Sequence, residues 1–140
     1  MRLTTKGRYA VRALFCLSKY TKDKPTPLSV VAKDQDISLN FLEQLFVHLR
    51  KNGIVSSVRG PRGGYRLAKE PKDITIGEVL RAVGESTYPV FCTENDIPNG
   101  KQCPRADECV THLLWIKLGK TINEFLDSTT LEELYQFKPE

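Results

Sequence analysis

Apolar residues near the start of the chain recur every three or four positions, which is the spacing of one face of an α-helix. From about residue 4 to residue 20 this face is formed by Tyr9, Ala10, Ala13, Leu14, Leu17 and Tyr20. The rest of the circumference is rich in basic side chains, namely Lys6, Arg8, Arg12 and Lys19. The pattern predicts a first helix with one packed face and one basic face.

Two further helices are predicted on either side of a short turn. Thr26 before Pro27 is typical of a helix start, because proline is favoured at the first helical position. Ser38 is a favoured N-cap residue, so a third helix is expected from there to Asn52, with Gly53 as its C-terminal stop. The turn between the two helices has the length found in a helix-turn-helix motif.

Beyond the third helix the apolar period changes from that of a helix to that of a strand. Residues 54–58 and 65–68 are predicted strands, and the loop between them holds Arg59, Arg62, three glycines and a proline. A hairpin with a basic tip is expected. A helix-turn-helix followed by such a hairpin is typical of a winged helix.

A fourth helix and a long loop are predicted next. Thr75 and Glu78 have the spacing of a capping box, which indicates a helix running to about residue 84. Residues 86–107 show no sustained period. A loop of this length in a small chain is usually functional or disordered.

Helical order returns near the end of the chain. A long amphipathic helix is expected from about residue 109 to residue 127, and Thr129 with Glu132 predicts a capped final helix. The predicted fold is therefore mainly α with a small β-hairpin: a winged helix-turn-helix followed by a long C-terminal helix.

The charge of the chain is divided between its two halves. The formal net charge of the 140 residues is only +4. Residues 1–72 hold 15 Lys and Arg against 5 Asp and Glu, whereas residues 73–140 hold 6 against 12. The basic half predicts a polyanionic partner, and the acidic half a different role.

No apolar run approaches the roughly 18 residues of a membrane span, and the first residues lack the apolar core of a secretory signal. We therefore expect a cytoplasmic protein with no membrane partner. In a reducing cytosol, the four cysteines are expected to be buried, catalytic or metal-binding rather than paired in disulfides.

The third helix has one apolar and one polar face. Its packing positions are Leu42, Leu45, Phe46 and Leu49, and its presented positions are Asn40, Gln44, Val47 and Lys51. Asn and Gln side chains can bond to an adenine edge, and Glu43 can accept from cytosine, as in a recognition helix in the major groove. Taken alone, such polar residues are more often simply solvated.

The basic hairpin favours the DNA-binding interpretation. Arg59 and Arg62 lie in a thin, glycine-rich loop that suits the negative potential of a narrow minor groove. A phosphate-binding nucleotide loop is disfavoured, because neither a Walker pattern nor a helix directly after Gly64 is present. Further phosphate contacts with double-stranded DNA are predicted for Arg2, Lys6, Arg8, Arg50 and Lys51.

The acidic half holds a cluster of possible metal ligands. Cys92, Cys103, Cys109 and His112 fall within 21 residues, and the last two share a helix face. Three thiolates and an imidazole suit zinc or a 2Fe–2S cluster, and the spacing does not choose between them. The alternative is a flexible loop with reduced cysteines, and Cys16 is expected to be a packing residue.

Several segments resemble the Rrf-type winged-helix transcription regulators, and the likeness covers nearly the whole chain. The shared segments are MRLTTKGRYAV at 1–11, ISL at 37–39, LEQLF at 42–46, LRKNG at 49–53 and VSSVRGP at 55–61. Cys109-Val-Thr-His112 followed by Trp115 is similar to the iron–sulfur-dependent IscR branch of that family.

The resemblance implies a homodimer built on the long C-terminal helix and a mainly repressing regulator of promoters with palindromic sites. It further implies one 2Fe–2S cluster per subunit, supplied by the iron–sulfur assembly machinery and sensing iron–sulfur or redox status. Its implied ligands are Cys92, Cys103, Cys109 and His112. The implied DNA contacts are Ser38, Glu43, Gln44 and Arg59, to which Asn40 and Arg62 are added from the face and the wing. Glu43 is also implied in switching operator specificity.

The chain is accordingly divided into a DNA-binding winged helix-turn-helix at 1–84, a cluster-binding loop at 85–112 and a dimerisation helix with its C-terminal segment at 113–140. A zinc-stabilised or cluster-free winged-helix repressor that senses a partner protein or metabolite remains the alternative. An enzyme is the weakest interpretation, because no nucleophile–base pair or carboxylate dyad is evident.

Overall fold

The computed structural model describes residues 2–20, 23–93, 104–105 and 107–137 of the chain. These residues form helices that pack on one another and on a short β-hairpin. In order, the elements are α1 (Thr5–Ser18), α2 (Leu28–Gln35), α3 (Leu39–Lys51), β1 (Val55–Val58), β2 (Gly64–Leu67), α4 (Ile76–Ala82) and α5 (Val110–Ser128). Short 3-10 turns lie at Pro71–Asp73, Phe91–Thr93 and Glu132–Gln136. The predicted winged helix followed by a long helix is confirmed. Among the described helices, none is long and apolar enough to cross a membrane.

Helix α1 lies at the centre and packs against α2, α3, α4 and β2. Most of its buried face is the predicted one, and Leu14 is fully buried there. Tyr20 is an exception, because it is 37% exposed and lies beyond the end of the helix at Ser18. Cys16 is 3% exposed within this core, and burial raises the pKa of its thiol, so it is the packing residue the sequence indicated. Phe46 of α3 is also fully buried and meets the ring of Tyr65 on β2 edge-on, which joins the recognition helix to the wing.

The turn between α2 and α3 forms as the sequence predicted. Asp36 adopts a left-handed conformation with φ of 53°, and Ile37 is buried beneath the turn. The side chain of Ser38 accepts a hydrogen bond from the amide of Phe41 and so caps α3. The connection between α2 and α3 is therefore a tight, ordered turn rather than a flexible loop.

The start of α2 differs from the prediction. Thr26 is not the N-cap, because its amide and carbonyl exchange 2.8 Å hydrogen bonds with the backbone of Tyr65 on β2. Pro27 takes the N-cap position instead. The approach is so close that a Cβ on Gly64 would lie 2.3 Å from the Thr26 carbonyl oxygen, and Gly64 also has a positive φ of 155°.

Two capping boxes lie in the described part of the C-terminal half. One is at the predicted position and the other is shifted by one residue. Thr75 and Glu78 bond reciprocally at the start of α4. The second box is formed by Thr130 and Glu133, one residue later than expected. The prediction of Thr129 was wrong because its carbonyl is occupied by the amide of Ile76.

Candidate nucleic-acid interface and metal centre

The side chains predicted to contact DNA are all exposed. They are Arg2, Lys6, Arg8, Ser38, Asn40, Glu43, Gln44, Arg50, Lys51, Arg59 and Arg62. On α3 the division is sharp, because Leu42 and Leu49 on the opposite face are fully buried. A helix with one packed and one free polar face, following a tight turn, is the arrangement that a recognition helix requires.

The hydroxyl group of Ser38 can cap α3 and also contact DNA. Its oxygen accepts the capping bond from Phe41 at 3.4 Å, which leaves the hydroxyl proton available for an external acceptor. The side chain is exposed at the start of α3, so capping does not prevent a DNA contact.

The wing tip is a narrow, positively charged loop. The amide of Gly63 donates to the carbonyl of Gly60 at 2.9 Å and closes the turn. A Cβ on Gly63 would lie 2.2 Å from the carbonyl oxygen of Val58, so the loop has no room for a side chain there. Arg59 and Arg62 project from the exposed part of this loop.

The basic start of α1 is held by a carboxylate that the sequence reasoning missed. Glu85, 8% exposed, accepts hydrogen bonds from the amide and hydroxyl of Thr4 at 3.1 and 2.7 Å and from the amide of Gly7 at 2.9 Å. Burial alone would raise the pKa of Glu85, but these hydrogen bonds outweigh it and hold the pKa below its ordinary value. The available signal was that α1 has no acidic residue in its first turn, where a helix favours negative charge.

Two of the predicted metal ligands meet in the structure. Cys92 lies in the 3-10 turn Phe91–Thr93, and His112 lies in the first turn of α5. The Cys92 sulfur is 3.4 Å from Nδ1 of His112, although 20 residues separate them in the chain. Both residues are half-buried.

Cys109 occupies the N-cap position of α5, one turn before His112. Its sulfur lies 3.1 Å from the hydroxyl of Thr111. This hydrogen bond, with a smaller contribution from the amide of His112, lowers the pKa of the Cys109 thiol. A lowered pKa favours the thiolate, which is the form that binds metals.

The fourth predicted ligand, Cys103, lies outside the described residues. In the part of the chain that is described, no three His, Cys, Asp or Glu side chains come close enough together to hold a metal ion. What the fold does bring together is one thiol and one imidazole, with a second thiol a helical turn away from that imidazole. This soft sulfur and nitrogen chemistry suits either zinc or an iron–sulfur cluster.

The segment that carries Cys92 is fixed on α5. Asn123 accepts a hydrogen bond from the hydroxyl of Thr87 at 2.6 Å and donates to its carbonyl at 3.2 Å. Pro89 packs so closely that a Cβ on Gly119 would lie 3.2 Å from its ring. We call residues 85–93 the strap, because they run from the end of α4 along α5 to its ligand-bearing end.

The other side of α5 is apolar and exposed. On a helical projection, His112, Gly119 and Asn123 face the strap, while the opposite side carries exposed side chains of Leu114, Leu118 and Phe125. Gly119 is the one buried residue of this 19-residue helix. An apolar patch of this kind on a long helix indicates a protein interface.

Comparison with known proteins places the chain among transcription regulators. The family model of the Rrf2 iron-dependent transcriptional regulators matches residues 3–136. The regulator IscR of Yersinia enterocolitica is 48% identical over 135 residues, covering 96% of this chain and 79% of that protein. IscR of Pectobacterium atrosepticum is 46% identical over 138 residues, covering 99% and 81%.

Solved structures agree with this assignment. The global cysteine regulator CymR of B. subtilis superimposes with a TM-score of 0.76 at 36% identity, covering 99% of both chains. IscR of T. potens superimposes with a TM-score of 0.74 at 38% identity, covering 97% of this chain and 87% of that one. The matched relatives are regulators and not enzymes, as the sequence predicted. The chain therefore belongs to the Rrf2 family of winged-helix, DNA-binding transcriptional regulators.

Proposed function

We propose that this regulator binds a 2Fe–2S cluster through Cys92, Cys103, Cys109 and His112, and that the cluster state controls operator affinity or specificity. The observation that carries the proposal is the 3.4 Å contact between the Cys92 sulfur and His112 Nδ1. The contact joins two side chains of metal-binding type that lie 20 positions apart in the chain. The half-buried position of both side chains also protects such a cluster from solvent.

The donor set gives this site its expected chemistry. When bound, a 2Fe–2S cluster supplies a one-electron redox couple. Three thiolates and one neutral imidazole place one negative charge fewer on it than four thiolates, which raises the reduction potential. His112 must be unprotonated at its coordinating nitrogen, so acid competes with cluster binding.

DNA recognition is assigned to α3 and the wing. Asn40, Glu43 and Gln44 are exposed at the start of α3, where a recognition helix meets base edges in the major groove. Arg59 and Arg62 of the wing are proposed to enter the minor groove. Glu43 is the acidic member of this face, so its position relative to phosphate can discriminate between operators.

The exposed apolar side of α5 is proposed to form a homodimer. Leu114 is 53% and Phe125 62% exposed, and burying such side chains stabilises a complex by about 1.5–3 kcal/mol each. A two-fold dimer presents two recognition helices to half-sites about 34 Å apart, which suits a palindromic operator. The strap side of α5 remains with its own subunit.

The fold alone does not choose between cluster-dependent and other regulators, because CymR superimposes as closely as IscR does. The predicted set of three thiols and one imidazole favours a metal-dependent regulator. The cluster-free alternative would leave the Cys92–His112 contact without a role, and the zinc alternative uses the same residues with a redox-inert metal.

Anaerobic purification followed by absorption spectroscopy and iron, sulfide and zinc analysis tests the proposal. We expect a brown protein with about two iron and two sulfide ions per chain. Cys92→Ala and His112→Ala should lose most of both ions, whereas Cys16→Ala, which removes a buried cysteine of the core, should retain them. A colourless protein that holds zinc, or no metal, would contradict it.

A further inference from the structure

We propose that Glu85 is a positioning residue for DNA binding, which fixes the basic start of α1 to the strap that carries Cys92. Its coupling to the metal centre rests on the proposed function above. Its effect on DNA affinity does not, because that effect is present in the metal-free protein.

The start of α1 depends on Glu85 for its capping bonds. This helix lacks a side-chain cap of its own, since the Thr4 side chain accepts no capping bond. The Thr4 hydroxyl instead donates to Glu85, together with the amides of Thr4 and Gly7. A Cβ on Gly7 would lie 2.5 Å from Oε2 of Glu85, so the carboxylate rests directly against the helix backbone.

This contact orders the residues that are proposed to meet phosphate. The first turn of a helix frays unless its free amides are satisfied. Arg2 and Lys6 lie on either side of the capped Thr4, and both side chains are exposed. Removing the carboxylate therefore allows the first turn of α1 to fray, and the side chains of Arg2 and Lys6 are then no longer held in position.

The strap connects Glu85 to the metal centre. From Glu85 onward the chain is held at Thr87 by Asn123, at Pro89 by Gly119 and at Cys92 by His112. Thr87 is 2% exposed, so the strap is packed against the rest of the protein at this position. Since only six residues lie between Glu85 and Cys92 and the strap is held along its length, a shift of the strap at Cys92 is transmitted toward α1.

The direction in which Glu85→Gln changes DNA affinity distinguishes a positioning role from a purely electrostatic one. Glu85→Gln removes a negative charge beside a DNA-facing surface, which by charge alone tightens DNA binding. A positioning role predicts the opposite. Glu133→Gln is the matched control, because Glu133 also accepts from a threonine amide and loses the same charge, but lies in the C-terminal segment.

The decisive measurement is operator affinity of the metal-free protein as a function of salt, on a duplex selected by the wild-type protein from a random pool. We expect Glu85→Gln to bind about threefold to tenfold more weakly and its salt slope to fall by about one, as for one lost phosphate contact. Partial unfolding lowers the active fraction without changing the slope. Glu133→Gln should bind like the wild type or slightly more tightly.

Gly7→Ala disturbs the same contact from the side of α1. This variant tests the positioning role of Glu85 if Glu85→Gln does not fold. Its added Cβ displaces the carboxylate without altering any charge, so the same loss of affinity and slope is expected. Wild-type affinity and slope in both variants, or tighter binding by Glu85→Gln, would overturn the proposal.

Hydrogen exchange at the Gly7 amide tests the connection to the metal centre. Its protection should change when the wild-type protein is loaded with a cluster, and should not change in Glu85→Gln. An unchanged Gly7 amide in a loaded wild-type protein would refute transmission through the strap. If the wild type never acquires a cluster, the proposed function fails, while the salt-slope comparison still decides the role of Glu85 in DNA binding.

Discussion

The amide of Leu131 donates a hydrogen bond to the carbonyl oxygen of Ile74 at 2.8 Å, and both side chains are fully buried. The chain leaving α5 is thus anchored to the chain entering α4. Arg81 and Asp127 form an ion pair beside this anchor. The C-terminal end of α5 is therefore continuous with the winged-helix core, while the exposed apolar side of the helix remains available for a partner.

Truncating the anchor should destabilise the whole fold. Leu131→Ala removes a fully buried side chain, and we expect a loss of about 2–5 kcal/mol in the free energy of unfolding, measured with urea. Leu39→Ala is the control, because Leu39 is 41% exposed and should cost less than about 1 kcal/mol. Equal losses in the two variants would show that the anchor is not part of the core.

The stability contributed by Glu85 should depend on pH. Hydrogen bonds from Thr4 and Gly7 hold its folded pKa below the ordinary 4.5. A carboxylate with a lowered folded pKa contributes stability that is present above its unfolded pKa and is lost as pH falls through the folded pKa. In the metal-free protein, the stability difference between wild type and Glu85→Gln should therefore shrink on acidification below about pH 4.5. A difference that stays constant into acid would argue against an ionised Glu85.

Local patterns predicted the elements of this fold well, and the exceptions have long-range causes. The boundaries of α3 follow from Ser38 and Gly53, whose effects lie within a few residues. Thr26 carries an equally good capping signal, but its backbone pairs with Tyr65, which no local pattern reveals.

The displaced second capping box has a similar explanation. Thr129 with Glu132 and Thr130 with Glu133 satisfy the same spacing, so the sequence alone cannot choose between them. The pairing of Ile76 with the Thr129 carbonyl makes the choice. Spacing therefore predicted that a cap exists but not which threonine forms it.

For the candidate site, the sequence predicted four metal ligands, and the structure brings two of them, Cys92 and His112, into contact. Metal binding by the full set stays a prediction. The contact of Cys92 with His112 agrees with the prediction, because sulfur and imidazole ligands are recognisable by type. Glu85 was missed, since its partner Gly7 is 78 residues away and a lone glutamate at a helix end carries no distinctive pattern.

A charge on the apolar side of α5 should break the proposed dimer. Leu114→Glu places a carboxylate among Leu118 and Phe125, where a partner helix would have to bury it. Sedimentation velocity should show a dimer for the wild type and a monomer for the variant. Lys120→Glu, at an exposed position off this side, should remain dimeric, and dissociation of both variants alike would point to a general charge effect instead.

Substitutions on α3 should separate base reading from phosphate binding. Gln44→Ala should weaken binding to the preferred operator by about 1–3 kcal/mol and relax the preference at one base position. Lys51→Ala should weaken all sequences alike and reduce the salt slope by about one. Binding titrations on single-base operator variants distinguish the two patterns, and an unchanged base preference in Gln44→Ala would remove it from the reading face.

Operator titrations before and after cluster loading measure whether the state of the metal centre controls DNA binding. Duplexes are first selected from a random pool by metal-free and by loaded protein, and each is then titrated with both forms by fluorescence anisotropy. We expect loading to change the affinity for at least one duplex severalfold, and we expect His112→Ala, which retains all cysteines, to abolish the change. Identical affinities of loaded and metal-free wild-type protein for every selected duplex would contradict it.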